Sequence, residues 1–183
     1  MLTPRPSFWR ITLQLPDIDV LLDQLCKATR ARLAEHNVAD PRLIGIHSGG
    51  VWLARRLSAS LGLSEDIGEL DISFYRDDFT RVGMHPTVRP SRIPWDIEGR
   101  HLVLVDDVMY SGRTIRAALN EIFDYGRPAS VTLAVLISRN GRELPIEAGA
   151  FGAQLTLPPN QQIKLRGPTP LRLELLERNS RGL

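Results

Sequence analysis

A single cysteine, Cys26, stands in 183 residues, so no intramolecular disulfide can form and the core alone must hold the fold. That cysteine falls in the helical pattern Ile18, Leu21, Leu22, Leu25, which reads as a buried thiol rather than a nucleophile. No apolar run reaches membrane-spanning length, and the N-terminal residues lack the charged-then-apolar order of a secretory signal. The expectation is a cytoplasmic protein without a membrane partner. Charge of one sign is scarce too: 23 basic residues face 21 acidic ones, a formal net charge of +2. That balance permits an anionic substrate or a nucleic acid without requiring either. Aromatic residues make up only 6% of the chain and form no stacking platform for nucleic acid. There is no internal repeat and no low-complexity segment. The length suits one α/β domain over residues 1–183 rather than two.

Against this background, His101-Leu102-Val103-Leu104-Val105-Asp106-Asp107-Val108-Met109-Tyr110-Ser111-Gly112-Arg113-Thr114 carries the chemistry. Its apolar half reads as a strand buried on both faces, as in a parallel sheet, ending on two adjacent carboxylates. A small-residue turn and a helical pattern from Ile115 to Tyr125 follow. Ligands of open α/β sheets bind beyond the carboxyl ends of the strands, where the acids lie. The turn from Met109 to Thr114 offers backbone N–H groups and the hydroxyls of Ser111 and Thr114 to a phosphate at a helix N-terminus. Donors for an anion beside acceptors for vicinal hydroxyls match a ribose 5-phosphate. Considered alone, paired acids after a strand also suit magnesium in a phosphatase or a response receiver. The turn is no Walker A loop, because Asp107 occupies the position of its first glycine.

The remaining elements alternate. Asp17 caps an amphipathic helix to about His36, and Arg42–His47 reads as a strand. His47-Ser48-Gly49-Gly50 forms a tight loop before a helix over Val51–Leu61, and Glu69–Tyr75 reads as the next strand. Residues 76–94 hold three prolines and several arginines without an apolar period, which predicts a flexible arm. A strand over Ser130–Ile137 follows the helix, and further strands are expected near Gln154–Leu157 and Gln162–Leu165. The alternation implies right-handed crossovers and a mostly parallel twisted sheet flanked by helices.

Residues Leu102–Thr114 resemble the phosphoribosyl diphosphate (PRPP) motif of type I phosphoribosyltransferases. Two further strings, Leu70–Phe79 and the stretch from Gly126-Arg127-Pro128 to Arg142-Glu143-Leu144-Pro145-Ile146, are similar to the bifunctional pyrimidine operon regulator/uracil phosphoribosyltransferase family. The resemblance runs from about Leu43 to Leu155. It implies a type I phosphoribosyltransferase-like fold with a small C-terminal hood over about 139–183. It implies magnesium-dependent transfer of ribose 5-phosphate from PRPP to uracil, giving UMP and pyrophosphate. Asp106 and Asp107 would meet the ribose hydroxyls, with Asp107 giving indirect help to the metal. Val108, Met109, Tyr110, Ser111, Gly112, Arg113 and Thr114 would hold the 5′-phosphate. His47, Ser48, Gly49 and Gly50 would meet the pyrophosphate, Arg76 would clamp the diphosphate, and backbone atoms of Ile137 and Arg139 would meet the base. A messenger RNA leader and further copies of the chain are the partners the resemblance adds.

The chain departs from the family pattern in places. Many members carry arginine where this chain has Gly49. Ser138, Asn140 and Gly141 replace residues of the usual Asp-Arg-Gly-His-Arg-Glu-Leu-Pro-Ile, and Gly152-Ala153-Gln154 stands where Gly-Lys-Asn is common. Related purine enzymes have an acid in place of Tyr110, so no side-chain general base is expected. Gly49 and the altered Ser138–Gly141 segment favour the competing reading, a nucleotide-sensing RNA-binding regulator with little or no catalysis, while the intact Leu102–Thr114 motif favours the enzyme. A phosphoribosyltransferase for another base is a third. Basic residues such as Arg30, Arg55 and Arg56 are candidates for an RNA-facing surface, although solvated helix faces carry similar charges.

Overall fold

The computed structural model describes residues 15–72 and 90–177. Five strands form one parallel sheet in the order β2-β1-β3-β4-β5: β1 is Pro41–Ile46, β2 Gly68–Leu70, β3 His101–Met109, β4 Ser130–Arg139 and β5 Ala150–Leu155. Helices α1 (Ile18–Glu35) and α2 (Gly49–Leu61) cover one face, and α3 (Arg113–Tyr125) covers the other. A separate antiparallel pair, β6 (Gln161–Arg166) and β7 (Arg172–Glu177), packs its Ile163 and Leu165 into the α1–α2 core.

The strand order reverses at β1, with β2 on one side and β3 on the other. The crevice beyond the carboxyl ends of β1 and β3 is therefore the topological switch point. Both glycine-bearing loops singled out from the sequence open there.

The apolar run of β3 is explained by its two covered faces. Val103 and Val105 enter the α1–α2 core, whereas Leu102 and Leu104 enter the core under α3, and all four are fully or almost fully buried. Asp17 caps α1 as expected, its carboxylate accepting from the amides of Asp19 and Val20.

Several boundaries differ from the sequence reading. β3 continues through the acid pair to Met109, because Val108 and Met109 stay paired with Ile137 and Ser138. Residues 150–155 join the main sheet, and only 161–177 form a hood hairpin. The end of the expected strand, 73–75, and the arm's residues 76–89, with Arg76, lie outside the described residues; of the arm's far end, Arg92 exchanges backbone hydrogen bonds with Glu69.

Helix α2 lies unusually near the sheet. An added Cβ at Gly45 would come within 2.5 Å of Val51 Cα, and one at Gly50 within 2.2 Å of the Val105 carbonyl oxygen. Both obstacles are backbone, which cannot rotate away. Gly50→Ala is expected to destabilise the protein by about 3 kcal/mol, from overpacking against backbone. Urea unfolding tests this, and an unchanged midpoint would contradict the close approach.

Candidate functional site

The switch-point crevice is a cavity of about 550 Å³. Ser48 and Gly49 line one side, Asp106 to Thr114 the floor and the other side, and Arg139 with residues of β6 the roof. Two helices point their N-termini into it. The residues before α2 and α3 are Ser48 and Gly112; neither makes a side-chain cap, and neither first turn holds an acid. The Arg113 amide donates to Ser111 Oγ at 3.3 Å, and the other first-turn N–H groups and the positive ends of two helix dipoles face one space, the arrangement an anion requires. Gly112 has φ +92°, a left-handed conformation a side chain would strain.

The floor carries the opposite charge. Side-chain alternation along β3 slips by one across Asp106 and Asp107: Val105 and Val108 belong to the same core, while the backbone offset to β4 stays constant. Each carboxylate bonds the next amide, Asp106 Oδ1 accepting from Asp107 N and Asp107 Oδ1 from Val108 N, both at 2.9 Å. Asp106 is buried, at 2% exposure, and Asp107 is half-buried. Asp107 Oδ2 is turned towards Gly49, 2.7 Å from where a Cβ would stand. Among the described residues no group of three or more His, Cys, Asp or Glu forms a metal cage. One free carboxylate oxygen beside anion donors does fit a hard cation that takes most of its oxygens from substrate and water.

The wall at the ends of β3 and β4 is built from the residues that depart from the family pattern. The Arg142 guanidinium donates to the carbonyls of Met109, Tyr110 and Arg139, and to Ser138 Oγ at 2.7 Å. One side chain therefore ties the ends of β3 and β4 together. The Asn140 amide pairs with both backbone groups of Leu157, at 2.8 and 3.2 Å. Gly141, at φ +109°, leaves room for the Tyr110 ring; a Cβ would fall 2.2 Å from it. The Arg139 guanidinium lies 4.3 Å from the Tyr110 ring centroid and donates to the Gln161 carbonyl at 2.7 Å.

The predicted residues are mostly brought together here. His47, Gly50 and Ile137 are not among the cavity-lining residues, and Arg76 lies outside the described residues; His47 Nε2 lies 3.1 Å from Glu69 Oε2, which shares its carboxylate with Arg55. Ile137 and Met109 bury their side chains, so only their backbones can serve a ligand. Sequence reasoning missed Trp52, Gln162 and Lys164, which also line the cavity. Trp52 falls in an amphipathic helix and the other two in a hairpin strand, with no local motif to mark them.

A phosphoribosyl transferase domain family model matches residues 18–162. A bifunctional protein PyrR from Pseudomonas paraeruginosa is 57% identical over 162 residues, covering 88% of this chain and 95% of the relative. One from Nitrosococcus oceani is 56% identical over 161 residues, covering 87% and 91%. Among solved structures, a hypoxanthine-guanine phosphoribosyltransferase from Bacillus anthracis superposes with a TM-score of 0.63 at 17% identity, over 80% of this chain and 85% of that one. That likeness concerns the fold alone.

Arg142→Gln should cost about 2 kcal/mol of stability, since it strips charge-assisted bonds from three carbonyls and a hydroxyl. Denaturant unfolding measures it, and a wild-type midpoint would show that the tie between β3 and β4 carries no weight.

Proposed function

Because the chain belongs to the bifunctional PyrR family and carries its phosphoribosyl transferase domain, we propose that it transfers ribose 5-phosphate from PRPP to N1 of uracil, releasing UMP and pyrophosphate. The observation that carries this reading is the convergence of two helix N-termini and the Asp106–Asp107 pair on one switch-point crevice. The α3 terminus, with the Ser111 and Thr114 hydroxyls, takes the 5′-phosphate. Asp106 and Asp107 accept from the ribose hydroxyls. The α2 terminus, with Ser48 and Gly49, faces the diphosphate.

Displacement at the anomeric carbon develops positive charge on the ribose ring and negative charge on the leaving group. The chain fixes both ends of the donor, so the main contributions are positioning and preorganised charge, with no covalent intermediate. Asp107 Oδ2 would give indirect help in holding magnesium, which when bound would withdraw electron density from the diphosphate. Backbone groups of Ile137 and Arg139 meet the pyrimidine edge, on a wall held by Arg142 and Asn140. No side-chain base is assigned, and uracil reacts as its anion. A single cysteine suits the reducing cytoplasm. The same pocket would sense UMP for a regulatory role towards a messenger RNA leader, in a homo-oligomer.

A second reading has its own observation: Gly49 brings no guanidinium to the diphosphate. It makes the chain a UMP-responsive RNA-binding regulator with little catalysis. Purified protein incubated with PRPP, magnesium and either uracil, hypoxanthine, guanine or orotate separates the two. Selective UMP formation is expected; binding of UMP without turnover of any base would favour the regulator. Asp106→Asn should lower kcat/KM by about a hundredfold or more, on the scale of a lost charged contact in the transition state. Thr114→Ala should raise KM for PRPP by about tenfold, the worth of one hydrogen bond to a charged group. Wild-type kinetics in both variants would contradict the site.

A further inference from the structure

Gly49 leaves no room for the guanidinium that the family pattern puts there. An added Cβ would stand 2.7 Å from Asp107 Oδ2 and 2.9 Å from Asp107 Cβ, so any side chain displaces the carboxylate. Among the described residues, a side-chain cation for the diphosphate comes from another wall of the crevice. The cations lining the cavity among the described residues are Arg113, Arg139 and Lys164. Arg113 is engaged by Glu143 at 2.6 Å. Arg139 is taken up by the Gln161 carbonyl and the Tyr110 ring. Lys164 is exposed, and among the described residues no acid lies within ion-pair distance of it.

The run of β6 across the crevice says what Lys164 faces. Its first residue, Gln161, is bonded to Arg139 at the end of β4, the base side. Gly167, just past its last residue, lies against Trp52, one helical turn along α2 from Gly49, the diphosphate side. Gln162 and Lys164 stand two apart on the strand, so their side chains share a face about 6.6 Å apart. Both line the cavity, with Gln162 at the base end and Lys164 towards α2.

We infer that Lys164 supplies the cation that neutralises the leaving diphosphate, in place of the guanidinium that Gly49 excludes. The inference rests on the phosphoribosyl-transfer reading. N1 of the base bonds to the anomeric carbon as the carbon–oxygen bond to the diphosphate breaks. The electron pair departs with the diphosphate; the N1 proton has already gone to solvent, since the base reacts as its anion. An ammonium on a flexible four-carbon stem can follow that charge as it moves.

Calorimetric binding of magnesium pyrophosphate, PRPP and UMP to the full chain tests this, with Lys164→Met and Lys164→Arg beside the wild type. Lys164→Met should weaken pyrophosphate and PRPP by about tenfold or more, leave UMP within about twofold, and be largely rescued by Lys164→Arg. Unchanged pyrophosphate and PRPP affinity would overturn the assignment. An equal loss of UMP affinity would also overturn it, since UMP carries no diphosphate. If a base other than uracil is turned over and pyrophosphate binding depends on Lys164, the uracil reading falls and this one stands. Wild-type protein that binds neither PRPP nor pyrophosphate overturns both.

Discussion

The close approach of α2 to the sheet is the constraint on which the site depends. Gly45 and Gly50 have no room for a Cβ because Val51 Cα and the Val105 carbonyl stand where it would go. That contact sets the α2 N-terminus directly beside the acid pair of β3. Glycine loses conformational freedom on folding and buries no side chain, so its use here spends stability on geometry. What results is a short path from a helix dipole to a carboxylate across one crevice.

Two opposing electrostatic demands are met within that crevice. The helix N-termini favour an anion, and the aspartates would repel it if they faced the same atoms. The slip in alternation at Asp106 and Asp107 helps to separate the two. Each carboxylate has one oxygen satisfied by the following amide, and Asp107 keeps its other oxygen towards the α2 loop. A ligand with an anion at each end and hydroxyls between can satisfy all of these groups together. The same crowding that fixes Asp107 excludes a long cation at position 49, which shifts the burden of charge to the hood.

Much of this was legible in the sequence. The buried β3 run, the glycine-bearing turn and the cap at Asp17 each follow from local chemistry, and the parallel sheet follows from the alternation of elements. Where the reading stopped short, a tertiary contact had decided the matter. The acids read as the end of β3, yet pairing of Val108 and Met109 with β4 carries the strand past them. β7 went unseen because Arg172-Leu-Glu-Leu-Leu-Glu has the composition of a helix, and only its pairing with β6 makes it a strand. Ser138, Asn140 and Gly141 read only as departures from the family pattern. In the fold they accept Arg142, clamp Leu157 and admit the Tyr110 ring. His47 sat in the right loop, but Glu69, distant in sequence, is its partner.

The most direct test of the central claim is a crystal structure of the full chain with UMP bound. The account predicts the phosphate on the amides and hydroxyls of Ser111 to Thr114, the ribose hydroxyls on Asp106 and Asp107, and the uracil edge against the backbone of Ile137 and Arg139. A nucleotide seated elsewhere, or one whose phosphate lies away from the α3 N-terminus, would contradict it.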